Sequence, residues 1–171
     1  MKVFAIFGIS TLMSLVSSGM IAALYAWPRL TTMNRERALL ALVAPHMFFR
    51  FIGLSFLVPG VVSPSLPAAF ALPSAYGDFV AGLLAITATI ALSRRGSWAT
   101  ALVWLFNIWG TADFLFAMYQ GLHLQIDPGA LGGAFFIPTA VVPALLVTHV
   151  LIFRLLVRPK GIGQVIAAPV T

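Results

Sequence analysis

Six side chains capable of acid–base, ligating or strong hydrogen-bonding chemistry stand within or at the edge of otherwise apolar stretches: His46, Arg50, Asp78, Asn107, Asp113 and His149. An ionisable group in a hydrocarbon environment costs at least a few kcal/mol, so each needs a partner or a use. His46 and Arg50 are spaced i, i+4 and share a helix face. Asn107, Gly110 and Asp113 step by three and draw one slanting polar stripe. Arg50 and Asp113 are natural partners, because each cancels the other's charge. Asp78 offers Arg50 a second carboxylate, so a pairing with Asp113, with Asp78 or with both is open.

These residue types support several chemistries. Two histidines on different helices at similar depth, His46 and His149, could ligate a haem iron axially or face a quinone, making the chain a redox protein. A His/Arg/Asp seam could bind a small anion, a quinone or a lipid headgroup, or pass protons. Asp113 could serve an intramembrane enzyme as an acid–base group, although no second intramembrane carboxylate is expected beside it. Alternatively, the seam holds helices together through hydrogen bonds worth about 0.6–2 kcal/mol each. H-E-x-x-H and G-x-S-x-G are missing, which removes the usual zinc-protease and hydrolase signatures. With no cysteine, disulfides, thiolate nucleophiles and Cys-based metal centres are excluded, and no metal site is expected. His123 falls in a loop and reads as a solvated or interfacial residue.

The elements that must position these residues are apolar helices. Of 171 residues, 61% are hydrophobic and 8% charged, against about 25% charged in a soluble domain. The polar residues are too few to clothe a soluble fold, and lipid is the solvent that tolerates such a surface. Five spanning helices are expected, over about residues 3–27, 38–58, 78–92, 98–119 and 134–157. The first has the length of a retained helix rather than a cleaved signal peptide. Its Ser14, Ser17, Ser18 and Gly19 form a small-residue face suited to close helix contact. Pro28 and the polar residues after it are expected to end it.

Between the second and third helices, residues 59–77 hold Pro59, Pro64, Pro67 and Pro73. Such a stretch forbids a continuous helix and reads as an apolar loop capping the bundle. Asp127-Pro128-Gly129 marks a turn before the last helix, whose first half Pro138 and Pro143 should make irregular. Trp27 and Trp98 fit interfacial positions, and Trp104 and Trp109 fit packing between helices. No internal repeat of the kind that builds inverted-repeat transporters is evident.

The formal charge of +6 is distributed in clusters at Arg29/Arg35/Arg37, Arg94/Arg95 and Arg154/Arg158/Lys160. This is the pattern of cytoplasmic loops, and no basic stripe suggests nucleic acid. The expected orientation has the N-terminus outside and the C-terminus in the cytoplasm, with Lys2 as the one cation against it. Counted from the helix ends at ~1.5 Å per residue, Arg50 and Asp113 share one depth. His46, Asn107 and His149 share another, closer to the cytoplasm.

Arg50-Phe-Ile-Gly53, Leu72-Pro73 with Gly77-Asp78, and Asn107-Ile-Trp-Gly110-Thr-Ala-Asp113 together resemble a group of small bacterial polytopic inner-membrane proteins. In that group an R-x-x-G helix, a proline-bearing G-D segment, an N-x-x-G-x-x-D helix and a proline-interrupted last helix follow in this order. The resemblance covers about residues 46–157 and departs at Phe106, where the group has Trp. It implies a bacterial inner-membrane protein, assigns no activity, and favours Arg50, Asp78, Asn107 and Asp113 as the set that matters.

The expectation is therefore an all-α polytopic membrane bundle of about five helices over residues 1–158, closed by a proline-rich outer loop, with a flexible cytoplasmic tail at 159–171. Its polar seam binds a small ligand or stabilises the bundle. The lipid bilayer is its partner, with homo-oligomers or other membrane subunits as further candidates.

Overall fold

A computed structural model describes residues 2–158, and no strand forms among them. Five helices are long and apolar enough to cross a membrane: α1 Val3–Thr32, α2 Arg35–Leu57, α3 Ala68–Ser93, α4 Ala99–His123 and α5 Ile137–Val157. The helical class and the number of such helices agree with the sequence reading. The expected tail, 159–171, lies outside the described residues.

Two helix boundaries and the interior of another helix differ from expectation, each at a proline. α1 continues through Pro28 to Thr32, because a π-helical turn at Ala22–Ala26 intervenes. There the Trp27 N–H donates five residues back, to the Ala22 carbonyl. α2 is interrupted at Pro45 and then tightens into a 3₁₀ helix over Arg50–Leu57.

α3 begins at Ala68, ten residues before its expected start, with Pro67 in extended conformation at its N-cap and Pro73 inside it. Pro73 has no N–H to give the Ala69 carbonyl. The Gln120 side chain supplies that bond instead, its Nε2 donating to the Ala69 oxygen at 3.1 Å. Proline in the second turn is tolerated because a side chain from another helix satisfies the orphaned carbonyl. In consequence Asp78 is not at a helix edge. It is the eleventh residue of α3, about 15 Å along it at the usual rise.

The irregularity expected near Pro138 and Pro143 is present, as a π turn over Ile137–Val141. The Asp127 turn is also present, its Oδ1 accepting from the Gly129 N–H at 2.9 Å.

Among the described residues the arginines other than Arg50 gather at one end of the bundle, and Lys2 stands at the other. Arg35 Nη2 donates to the Leu156 carbonyl at 2.6 Å. Arg95 Nε lies 3.9 Å from Glu36 Oε2, and the Arg154 guanidinium sits 5.7 Å from the Trp27 ring centre. At the opposite end the two remaining connections are knitted together. The Gly133 N–H donates to the Val61 carbonyl at 2.7 Å, and the Ser63 N–H to the Ala130 carbonyl at 2.9 Å.

Each end has its own apolar core. Leu39, Val43, Ala88, Phe106 and Ile152 belong to the core at the cationic end; Phe56, Phe70, Leu131 and Ile137 belong to the other. Small residues on α3 (Ala75, Ala81, Gly82, Ala85) are buried where it meets α4 and the 3₁₀ half of α2, and they let the backbones approach closely. On α1, Ser14 and Ser18 turn toward the bundle and Ser14 Oγ donates to the Ala140 carbonyl at 3.2 Å, so part of the small-residue face meets α5 of the same chain.

Candidate functional site

Between the two apolar cores, the six polar residues singled out by sequence meet in one place. Arg50 organises them. It is fully buried, and all four of its Nη protons are used. Nη1 donates to Asp78 Oδ1 at 2.7 Å and to Asp113 Oδ2 at 2.9 Å. Nη2 donates to the Gly110 carbonyl at 2.8 Å and to His149 Nε2 at 2.8 Å. The guanidinium also sits over Phe114, with Cζ 3.6 Å from the ring centre, a buried cation–π contact. The geometry answers the question of pairing: Arg50 takes both carboxylates. It also revises the expectation that Asp113 has no carboxylate neighbour, because Asp78 lies deep in α3.

Hydrogen-bond logic assigns the His149 tautomer. Arginine can only donate, so Nε2 must present its lone pair and the proton sits on Nδ1. Nδ1–H donates to Asn107 Oδ1 at 2.6 Å, and Asn107 Nδ2 donates to the His149 carbonyl at 3.2 Å. His46 packs beside His149 with ring centres 4.6 Å apart. Its Nε2–H donates to Thr148 Oγ1 at 2.8 Å, since the Thr148 hydroxyl proton goes to the Leu145 carbonyl at 2.7 Å. The two depth layers expected from helix arithmetic are thus one connected network. His46 Nδ1 and Arg50 Nε are buried without a hydrogen-bond partner.

The local structure explains the motif spacings. Along the 3₁₀ helix, side chains three apart eclipse, and Arg50, Gly53 and Phe56 are the three buried residues of that stretch. R-x-x-G therefore places its glycine directly after the arginine on the same face. A Cβ on Gly53 would stand 2.7 Å from Asp78 Cγ. A Cβ on Gly77 would stand 2.8 Å from Asp113 Cγ, and one on Gly110 would stand 2.5 Å from Arg50 Nη2 and 2.7 Å from His149 Cε1. The glycine of each motif is the space that the charged network occupies.

The residues present do not fit an axial haem pair. Two axial imidazoles must each aim a free nitrogen at one iron, with the porphyrin plane between the rings. Both His149 nitrogens are engaged, His46 Nε2 is engaged, and the two rings are already in contact.

Residues 6–157 match the family described as a domain of unknown function, DUF8737. The chain belongs to that family. No curated protein and no solved structure matches it. The DUF8737 span takes in most of α1 and all of α2 to α5, with every residue of the polar network.

Two side chains of this DUF8737 network, those of Phe114 and Thr148, were not singled out by sequence. Phe114 and Thr148 each sit next to a polar residue that was, yet an aromatic and a threonine in an apolar helix carry no distinguishing signal. Gly110 was legible as a member of the slanting stripe, but its carbonyl's part as acceptor for Arg50 was not. Trp109, expected in helix packing, is 43% exposed, and its Nε1 donates across to the Gly77 carbonyl at 3.2 Å. His123 ends α4 and stacks on Tyr119 with ring centres 5.4 Å apart, away from the network.

Proposed function

We propose that this chain is a multi-pass protein of a bacterial inner membrane whose buried polar network binds a small ligand, with Arg50 as the scaffold and Asp113 as the ligand-facing group. The gathering of arginines at one end supports an orientation with that end and the C-terminus in the cytoplasm and the N-terminus outside.

One observation carries the binding reading: the network holds more polar capacity than it uses internally. Helix adhesion requires one carboxylate for one guanidinium, whereas Arg50 faces two. Two further buried polar atoms of the network, His46 Nδ1 and Arg50 Nε, have no hydrogen-bond partner among the described residues, as is also true of Arg35 Nε and Thr89 Oγ1 elsewhere. An unpaired buried polar atom costs about 1–3 kcal/mol, an expense that structural adhesion alone gives no reason to retain. Asp113 also borders a groove that opens to the outside of the bundle.

Native mass spectrometry of protein released from mild detergent tests this reading. A bound small molecule on the wild type, lost in Asp113→Asn of equal thermal stability, supports it. The same bound species on both proteins, or none on either, would leave the network as adhesion between helices.

A further inference from the structure

An open groove of about 470 Å³ runs between α3 and α4. Pro73, Gly77 and Val80 line it from α3, and Trp109, Asp113 and Phe116 from α4. Both sets follow helical i, i+4, i+7 spacing, so each helix contributes one continuous stripe. The groove is apolar and aromatic apart from a single carboxylate, that of Asp113, whose side chain keeps 9% of its surface exposed. Tyr76 on the same wall is 56% exposed, and the hydrogen bond from Trp109 to the Gly77 carbonyl holds the indole against α3.

Charge complementarity says what this groove would take. Behind Asp113 one guanidinium serves two carboxylates, so with both ionised the cluster is one positive charge short of balance, a charge that a bound cation supplies in place of a shared proton. His149 does not supply it, because its Nε2 accepts from Arg50. A carboxylate flanked by exposed indole, phenol and phenyl rings attracts positive charge twice over, by Coulomb attraction and through the ring quadrupoles. The apolar walls select further. A small hydrated cation would lose its water shell on entry, whereas a cation with dispersed charge and an apolar exterior loses little.

We infer that the α3–α4 groove is a binding site for lipophilic organic cations, held by Asp113 and the rings of Trp109 and Tyr76. This inference rests on the reading of Asp113 as a ligand-facing group and names the ligand class. The neutral tails of surrounding lipids are the competing occupant.

A matched pair of ions tests it. Tetraphenylphosphonium and tetraphenylborate share shape and apolar surface and differ in the sign of their charge. Isothermal titration calorimetry of the full chain in mild detergent should show tetraphenylphosphonium binding and no comparable tetraphenylborate binding. Asp113→Asn should weaken the cation by at least roughly tenfold. Ala112, an exposed residue of α4, also lines the groove, and Ala112→Phe, which fills it and leaves every Arg50 partner in place, should weaken binding to a similar extent. That variant decides the matter if Asp113→Asn proves unstable.

Equal binding of both ions, or cation binding unaffected by Ala112→Phe, would overturn the inference by showing only apolar partition. Preferential binding of tetraphenylborate, lost in Asp113→Asn or Ala112→Phe, would overturn the cation class and leave the ligand site standing. Binding of neither ion would overturn the cation class as well, while the mass-spectrometric comparison still judges the site.

Discussion

His149 and Asn107 exchange two hydrogen bonds: Nδ1–H of the imidazole donates to Asn107 Oδ1 at 2.6 Å, and Asn107 Nδ2 donates to the His149 carbonyl at 3.2 Å. The asparagine thereby reads both the side chain and the backbone of α5, and it orients the ring so that Nε2 meets Arg50. Asn107→Leu leaves the Nδ1–H buried without an acceptor, which costs about 1–3 kcal/mol. Thermal unfolding in detergent should show that loss. In the wild type, nitrogen NMR of labelled histidine should find the His149 proton on Nδ1. A proton on Nε2 would contradict the bond from Arg50.

Arg50 is the group whose loss the network tolerates least. Arg50→Met strands Asp78 and Asp113 together in an apolar core, and breaking a buried ion pair in this way costs about 3–5 kcal/mol. Combining it with Asp78→Asn and Asp113→Asn removes the uncompensated charges and should recover a large part of the stability. Arg50→Lys keeps the charge and should fall between methionine and arginine, because an ammonium has no planar fork to reach both carboxylates, Gly110 and His149 at once. A triple variant no more stable than Arg50→Met would show that charge is not what these residues contribute.

The motif glycines should be far less replaceable than the open glycines of α1. Gly110→Ala drives a methyl group into Arg50 and His149, and Gly53→Ala drives one into Asp78. Overpacking of this kind costs about 1–3 kcal/mol. Gly8 and Gly19 have nothing within 4 Å of an added Cβ, so alanine there should be neutral or better. Comparing melting temperatures across these four variants checks the contrast. A Gly110→Ala protein as stable as Gly8→Ala would mean that the network can shift to make room.

The bond from Gln120 to Ala69 should matter only while Pro73 is present. Gln120→Leu leaves the Ala69 carbonyl without a partner and should cost about 0.6–2 kcal/mol, the range of a single interhelical hydrogen bond. In a Pro73→Ala background the restored backbone N–H satisfies that carbonyl, and Gln120→Leu should then have little effect. A double-mutant cycle measures the difference directly. Equal effects in both backgrounds would show that Gln120 contributes something other than this bond.

The sequence alone determined those features that depend on neighbours along the chain. Five apolar stretches of spanning length, and cations confined to alternate connections, follow from composition and need no knowledge of packing. The six network residues were legible for the same reason: a polar group in an apolar helix is conspicuous wherever it points. The third helix illustrates the limit. Pro73 signals a helix end, yet α3 runs through it, with Gln120, a residue far along the chain, reaching the orphaned Ala69 carbonyl. The depth of Asp78 followed from that, and with it the second carboxylate on Arg50.

Only the tertiary structure decided that Arg50 takes both carboxylates, that both imidazoles close against each other, and that Asp113 alone of the two carboxylates borders the groove. Those outcomes depend on how closely helices approach one another. Gly53, Gly77 and Gly110 set that approach by what they lack, and an absent side chain states its purpose only when the atoms filling its place are known.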